Sequence, residues 1–262
     1  MTRVRRATLV CLLAWTSPAW PQRPSDADAA AAIEQSRQKA LAYTRSLPDF
    51  VCTEVIRRYV DRRERGEWTL TDRLTVRLSY FQHIEEHKLM LINDQPTNRD
   101  FSSLEGATGE GEFGGTLESI FDPQSQAAFR WESWKNVRKH RAAVYSYVVP
   151  LEHSRYLLVA GKPGEARQAV VGFHGVLEVD AESGEVLHFT YLADHIPKDL
   201  SVSYALTTVD YDFADVGGRE YLLPARSETE MRGLNLSVRN QMEFRDYRKF
   251  SSDSTITFGP AK

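Results

Sequence analysis

His83, Glu86 and His87 come closest, by type and spacing, to a catalytic motif in this sequence. They fit the H-x-x-E-H pattern of zinc proteases, which requires a helix so that both imidazoles can bind one Zn²⁺. The residues before His83 instead alternate between apolar and polar types, which predicts a strand running into a turn. In a strand, residues four apart lie roughly 13 Å from each other. His83 and His87 are therefore the weakest site candidates, and we expect no metal and no cofactor.

The other reactive side chains form no recognisable catalytic arrangement. Cys52 is the only cysteine besides Cys11, and its neighbours Val51 and Thr53 indicate a strand in which the thiol is buried and inert. The glycine-rich segment from Gly106 to Gly115 lacks the Gly-Lys-Ser/Thr ending of a phosphate loop, so we expect a flexible loop at the rim of the fold. The Gly-x-Ser-x-Gly sequence of serine hydrolases does not occur. These residues predict a protein that is not an enzyme.

The first 22 residues have the pattern of an export signal. Arg3, Arg5 and Arg6 precede the apolar run from Ala7 to Trp15, and small residues follow. The run is too short for a permanent membrane span, which takes about 20 apolar residues. We therefore expect residues 1–22 to be cleaved and the remainder to be periplasmic or secreted, with peripheral membrane contact or none. The cleavage position, and the choice between general and twin-arginine export, stay open.

Composition limits the class of protein and its partners. Of the 262 residues, 42% are hydrophobic and 26% are charged, values typical of a soluble globular chain. Loss of residues 1–22, which hold three arginines and no acids, lowers the formal charge from −3 to −6. A negatively charged chain repels polyanions, so we expect no nucleic-acid binding. The oligomeric state stays open.

The spacing of apolar residues divides the remainder into a helix and a β domain. Residues 23–47 are rich in alanine and predict an N-terminal helix that ends before Pro48. From residue 48 to residue 262 the apolar period falls to two, and turn signals recur without another long helix. This pattern predicts a single antiparallel β domain over residues 48–262, since parallel strands would need long crossover connections.

Two local elements can be placed within that domain. The sequence from Leu70 to Ile92 predicts a hairpin centred on Glu85-Glu86, with a turn at Asn93-Asp94 after it. The sequence from Phe113 to Phe121 predicts one short mid-chain helix that stops before a proline.

One face of the predicted sheet is a candidate lining for an apolar ligand. Aromatic residues are frequent in the strand-like stretches, where most would fill a core. A sheet curled into a half-barrel would leave part of that face open to a lipid or another apolar molecule. The candidate lining residues are Leu74, Val76, Leu78, Tyr80, Trp131, Tyr145, Tyr147 and Phe173. The alternate residues Arg73, Arg77 and Ser79 should point away from this lining and into water.

Several turn-and-strand segments carry a resemblance to known proteins. The hairpin from Val179 to Leu187 has a strand, an Asp-x-x-Ser-Gly turn and a second strand, and the segment from Gly218 to Arg226 forms a later strand pair. Both resemble elements of the periplasmic lipoprotein-carrier superfamily, which has the LolA-like fold. The stretches Leu47–Cys52 and Asp253–Phe258 look like a family of uncharacterised exported bacterial proteins.

The resemblance implies a mainly β, α+β fold. It consists of a long antiparallel sheet, strongly curved or forming an unclosed half-barrel, with an N-terminal helix and one short mid-chain helix on its concave side. The resemblance brings no catalytic residues with it, and the step from a shared fold to a shared role is an analogy.

Three functions are compatible with these observations. The first is an exported, non-enzymatic protein that binds an apolar ligand, a lipid or a lipid-bearing partner such as a lipoprotein on a concave sheet. The second is a cell-envelope interaction or scaffold protein of the same fold with a filled core. The third and weakest is an extracytoplasmic zinc hydrolase that uses His83 and His87.

Overall fold

The computed structural model describes residues 23–62, 65–104, 111–161, 166–233 and 236–250. The predicted signal at residues 1–22, residues 106–110 of the glycine-rich segment and the Asp253–Phe258 stretch lie outside the described residues.

The helix α1 covers Asp26–Ser46 and confirms the predicted N-terminal helix. It begins at Ser25, whose side-chain oxygen accepts a hydrogen bond from the backbone N–H of Asp28 at 3.1 Å. Acidic side chains in the first turn and Arg45 in the last turn both complement the helix dipole. The helix ends at Leu47, which is extended because a proline follows it.

Thirteen strands and a second helix follow within the part of the chain that the structure describes. The strands are Phe50–Asp61 (β1), Thr69–Phe81 (β2), Ile84–Ile92 (β3), Gln95–Pro96 (β4), Ala128–Val137 (β5), His140–Val149 (β6), Leu157–Ala160 (β7), Arg167–Val170 (β8), Gly172–Asp180 (β9), Val186–Asp194 (β10), Val202–Asp215 (β11), Glu220–Gly233 (β12) and Ser237–Lys249 (β13). The second helix, α2, is Gly115–Phe121 and lies between β4 and β5 in the chain.

Eleven of these strands form one antiparallel sheet. Their order is β4-β3-β2-β1-β13-β12-β11-β10-β9-β6-β5, while β7 and β8 pair separately. The end strands β4 and β5 do not pair with each other, so the sheet is open. The mainly β, unclosed architecture with an N-terminal helix and a short mid-chain helix is therefore confirmed.

The sheet is strongly curved near its β5 end. Arg138, in the turn between β5 and β6, donates a hydrogen bond to the backbone oxygen of Tyr211 on β11 at 2.7 Å. In a flat sheet four strand spacings of about 4.8 Å would separate β5 from β11, farther than an arginine side chain extends. His140 at the start of β6 also stacks on Phe213 of β11, with ring centroids 5.7 Å apart.

Two boundaries differ from those predicted. The β2–β3 hairpin turns at Gln82-His83, both with positive φ, so the prediction of a turn at Glu85-Glu86 is wrong. No glycine or asparagine marks this turn, and its two residues adopt the left-handed conformation without the usual sequence signal. The short helix begins at Gly115 instead of Phe113, because Gly114 has a φ of 112° and stands outside the helix.

Candidate functional site

The two helices lie on one side of the large sheet, here called the inner face. The first group of buried side chains on it, the β9 cluster, includes Tyr145, Tyr147, Phe173, Leu177, Phe189, Tyr191 and Tyr211, and packs against Ala40 of α1 and Leu117, Ile120 and Phe121 of α2. The second group, the β1 cluster, includes Phe50, Cys52, Ile56, Leu74, Val76, Leu78, Tyr80, Leu89, Phe113, Met242 and Phe244.

The structure divides the predicted lining between these two clusters. The four residues from β2 belong to the β1 cluster, and none of them is more than 1% exposed. Tyr145, Tyr147 and Phe173 belong to the β9 cluster and are 2–3% exposed, while Trp131 is partly buried at the edge of that cluster. The predicted lining residues therefore belong to two neighbouring clusters on the inner face. The helices and the residues just before α2 cover both clusters.

The side chains on the opposite face of β2 are less exposed to solvent than the sequence predicts. Ser79 is 8% exposed, and the Nε atom of Arg77 is buried without a hydrogen-bond partner. The alternation of faces along β2 is as predicted, because register partners on β1 share each face. The expectation that this face is solvated is wrong for Ser79.

The covering helix α1 contributes a few fully buried and several partly buried side chains to the β9 cluster. Only Ser36 and Ala40 are buried among its 21 residues. Tyr43 is partly buried and donates a hydrogen bond from its hydroxyl to the backbone oxygen of Leu222 at 2.9 Å. The hydroxyl of Tyr145 donates to the backbone oxygen of Ala29 at 3.2 Å. These hydrogen bonds, together with the partly buried side chains of Ile33 and Leu41, hold the helix over the large aromatic rings.

The β1 cluster is covered by the four residues that precede α2. The ring of Phe113 packs against those of Phe50, Tyr80 and Phe244, with centroids 5.3, 6.1 and 5.5 Å apart. Each aromatic pair at such a spacing adds about 1 kcal/mol to the burial of its area. Phe113 therefore anchors this part of the chain to the inner face.

An acidic residue that the sequence analysis did not single out lies in the β1 cluster. Glu54 is 3% exposed and stands opposite Val76 on β2 and Phe244 on β13, so it shares the inner face with them. Burial, followed by the charges of Glu112 and Glu85, raises the pKa of Glu54 to about 8. Its carboxyl group is therefore mostly neutral at pH 7.

The surroundings of Glu54 leave one of its oxygens unsatisfied. Its Oε2 atom is buried and has no hydrogen-bond partner, and Nε2 of His87 lies 3.7 Å from it, beyond hydrogen-bond distance. The His87 ring stacks on Phe101 with centroids 5.3 Å apart. A buried polar atom without a partner is uncommon and costs stability. The sequence does carry a signal for it, because Glu54 is in phase with the apolar residues Phe50, Cys52 and Ile56.

The structure gives the zinc motif no common ligand set. His83 occupies the β2–β3 turn, where its Nδ1 lies 3.4 Å from the hydroxyl of Tyr80, whereas His87 lies within β3. Within the described ranges, no three His, Cys, Asp or Glu side chains are placed to hold a metal ion.

Cys52 is buried, as the sequence indicates. Burial, followed by the charge of Glu54, raises the pKa of this thiol well above its usual value. A reactive cysteine needs the opposite shift, because the thiolate is the nucleophile. This environment gives Cys52 no support for covalent catalysis.

A polar cleft of about 420 Å³ opens on the face of the sheet turned away from α1. Charged side chains of both signs line it, and most are paired with one another. The pairs are Lys135–Glu178 at 2.6 Å, His188–Asp210 at 2.7 Å and Arg138–Asp212 at 3.1 Å. The hydrogen bond from His188 lowers the pKa of Asp210 below its usual value. The uncharged residues that line the cleft are Val137 and Ala225.

None of the helices in the described ranges is both long and apolar enough to span a membrane.

Comparison with known proteins gives matches among solved structures alone. No family model and no curated protein matches the chain. The chain is similar to a LolA superfamily protein from Nitrosomonas europaea, with 9% identity, a TM-score of 0.36 and coverage of 85% of this chain and 94% of that one. It is also similar to a putative outer membrane lipoprotein-sorting protein domain from Vibrio parahaemolyticus, with 10% identity, a TM-score of 0.36 and coverage of 85% and 92%.

A third match is a DUF1329 family protein from Desulfovibrio piger, with 11% identity, a TM-score of 0.40 and coverage of 86% of this chain and 94% of that one. The first of these similar structures is a LolA superfamily protein, and the sequence segments described above resemble that superfamily.

Proposed function

We propose that this chain is an exported, non-enzymatic protein that binds an apolar ligand, a lipid or a lipid-bearing partner on the inner face of its sheet. One observation carries the proposal: α1 covers the large aromatic rings of the β9 cluster mainly through side chains that are only partly buried, while Ser36 and Ala40 alone among its residues are fully buried. Displacement of the helix would expose an extended apolar surface on a sheet that remains hydrogen-bonded between strands.

The energetics of α1 support its displacement. Most of the stability of a helix in a protein comes from packing of its apolar face, not from helix propensity. Because Ile33, Leu41 and Tyr43 are only partly buried, α1 gains less from packing than a fully buried helix would. A ligand with an acyl chain gains about 0.8 kcal/mol for each CH₂ group that it buries. An apolar ligand can therefore compete with α1 for the aromatic surface.

The compartment and the domain division belong to the same proposal. Residues 1–22 would direct export and be removed, residues 23–47 would form the movable helix, and residues 48–262 would form a single β domain. Cleavage would leave a negatively charged periplasmic or secreted protein, which would not bind nucleic acid. Its contact with membranes would be peripheral or absent.

Fluorescence titration with N-phenyl-1-naphthylamine, an uncharged apolar probe, tests this proposal. The wild-type protein should show saturable binding. Tyr43→Phe removes the hydrogen bond to Leu222, which is worth about 1 kcal/mol, so the fraction with α1 displaced should rise about fivefold. The apparent affinity for the probe should rise by the same factor, because it scales with the competent fraction.

Tyr59→Phe is the matched control, because Tyr59 lies on the other face of β1 and should leave the affinity unchanged. Mass spectrometry of protein purified natively from the envelope should also find a co-purifying lipid. Absence of saturable probe binding in both the wild type and Tyr43→Phe would refute the proposal.

A filled-core scaffold protein is the second candidate. It is favoured by the near-complete burial of the predicted lining, of which only Trp131 is partly exposed. This candidate predicts no probe binding in any variant and no co-purifying lipid, so the same two measurements distinguish it from the first.

A further inference from the structure

The edge strand β5 carries three aromatic rings that pack against the β9 cluster, and an arginine lies over each ring. Measured from the guanidinium carbon to the ring centroid, the pairs are Arg37 on Phe129 at 5.9 Å, Arg23 on Trp131 at 5.7 Å and Arg141 on Trp134 at 4.0 Å. A cation over an aromatic face is attracted to it. The border of the covered apolar surface is therefore both aromatic and positively charged.

The indole nitrogen of Trp131 is a hydrogen-bond donor without an acceptor. Its Nε1 atom is buried and has no hydrogen-bond partner among the described residues. An indole N–H can only donate, and it usually finds an acceptor when it is buried. Trp131 stands opposite Tyr145 on β6, and the hydroxyl of Tyr145 reaches Ala29, so the indole lies near the beginning of α1. The protein thus offers this donor no acceptor at the border of the surface that α1 covers.

Arg141 is the arginine of this group whose position does not depend on α1. Arg23 precedes α1 and pairs with Asp26 at 3.4 Å, whereas Arg37 lies within α1 and pairs with Glu34 at 3.1 Å. Arg141 belongs to β6, and no acidic side chain of the described ranges forms an ion pair with it. Displacement of the helix would therefore remove the other two arginines and leave Arg141 beside the indole pair.

We propose that Trp131 and Arg141 form a headgroup site for an amphiphile whose polar end is a negatively charged oxygen group, either a carboxylate or a phosphate. Trp131 donates from Nε1 to one oxygen of the headgroup. The guanidinium of Arg141 binds the same group from the side of Trp134, whose ring centroid lies 6.1 Å from that of Trp131. The acyl chain lies on the rings of the β9 cluster in place of α1. The inference rests on the proposed function and names the class of ligand that the inner face binds.

The chemistry of these two groups favours an anionic headgroup. A guanidinium group is planar and presents its donors in a fork that matches the oxygens of a carboxylate or a phosphate. A hydrogen bond from a buried donor is also stronger when the acceptor is charged than when it is neutral. An uncharged amphiphile with the same alkyl chain gains the same apolar burial without these interactions. The difference in affinity between two such ligands therefore isolates the headgroup site.

Displacement of N-phenyl-1-naphthylamine by decanoate and by 1-decanol at neutral pH measures this difference. The two ligands share one alkyl chain, so the cost of displacing α1 cancels in the ratio of the 1-decanol inhibition constant to that of decanoate. In the wild type this ratio should be at least about tenfold at low salt. It should fall as added salt screens the guanidinium group. Trp131→Phe keeps an aromatic ring and removes the N–H, and Arg141→Gln removes the charge; each should lower the ratio about threefold or more.

Two control variants match these substitutions. Arg130→Gln removes an arginine that is next to Trp131 in the chain, faces the other side of β5 and pairs with Glu132 at 2.7 Å. Trp68→Phe removes the indole of another tryptophan that carries an arginine, since Arg239 lies 4.0 Å from its ring centroid, far from the rings of β5 along the sheet. Both controls should keep the wild-type ratio.

A ratio near one in the wild type, or an unchanged ratio in either Trp131→Phe or Arg141→Gln, would overturn the headgroup site and leave the carrier in place. Arg141 is exposed, so its variant keeps the proposal testable if Trp131→Phe does not fold. Absence of probe binding would reject the carrier and the headgroup site together. Decanoyl lysophosphatidylglycerol separates the two sources of the anion: displacement stronger than that by decanoate supports a phospholipid headgroup at this site, and weaker displacement supports a free fatty acid.

Discussion

Replacement of Glu54 by glutamine should stabilise the protein, and more strongly as the pH rises. The substitution keeps the size of the side chain and removes its ability to ionise. In the unfolded chain Glu54 loses its proton near pH 4.5, whereas in the folded protein it keeps the proton until about pH 8. Between these values the folded state binds more protons than the unfolded state, so the free energy of unfolding of the wild type falls as the pH rises.

The size of the effect follows from the same two values. A difference of 3.5 pKa units at about 1.4 kcal/mol per unit amounts to about 5 kcal/mol above pH 8, and to about half of that near pH 6. Glu54→Gln should therefore match the wild type near pH 4 and exceed it by up to about 5 kcal/mol at pH 8.5. Urea denaturation monitored by tryptophan fluorescence at each pH measures the difference.

The exposed Glu86→Gln substitution provides the baseline for this comparison. Its stability difference from the wild type should stay within about 0.5 kcal/mol at every pH, as is usual for surface substitutions. A Glu54→Gln difference that is constant with pH, or that shrinks as the pH rises, would show that Glu54 is ionised in the folded protein and would refute the reasoning.

Three further substitutions test other parts of the structure. Gly175→Ala should destabilise the protein by about 3 kcal/mol or more in thermal denaturation, because a Cβ atom there would lie 1.8 Å from the backbone oxygen of Thr190; an unchanged Tm would contradict the β9–β10 packing. Asp210→Asn should cost no more than about 1 kcal/mol at pH 7, and the cost should start to fall as the pH drops below 3.8 and disappear below the lowered pKa of the folded state, because His188 lowers the pKa of this partly exposed carboxyl group. A cost that does not decrease at all as the pH falls below 3.8 would argue against that pairing. Phe113→Ala should cost about 3 kcal/mol in urea denaturation, because this ring packs against those of Phe50, Tyr80 and Phe244, and a free energy of unfolding equal to that of the wild type would show that the ring does not hold the residues before α2 on the inner face.

The sequence was sufficient for the fold class because alternation along the strands is a local property. Leu74, Val76, Leu78 and Tyr80 do share one buried face, as their spacing predicts. The β2–β3 turn was misplaced because neither Gln82 nor His83 is a residue that ordinarily signals positive φ.

The candidate site was harder to predict because it depends on contacts between distant parts of the chain. Phe113 meets Phe50 and Phe244 only when α2 and the residues before it fold onto the inner face, and no local pattern specifies that packing. An acid in phase with apolar neighbours is the available signal, and Glu54 shows it. The covering of the lining by α1 is equally non-local, since Ala29 meets Tyr145 across more than a hundred residues.

The position of β1 has a consequence for how the polypeptide acquires its shape. This strand pairs with β2 on one side and with β13, the last strand of the described residues, on the other, so Thr53 meets Arg245. One edge of β1 therefore has no partner strand until nearly the whole chain has been synthesised. Pairings of such high sequence separation form slowly, and an unpaired strand border is a template for aggregation in the meantime. Truncation of the β13 residues should therefore yield insoluble material instead of a smaller folded protein.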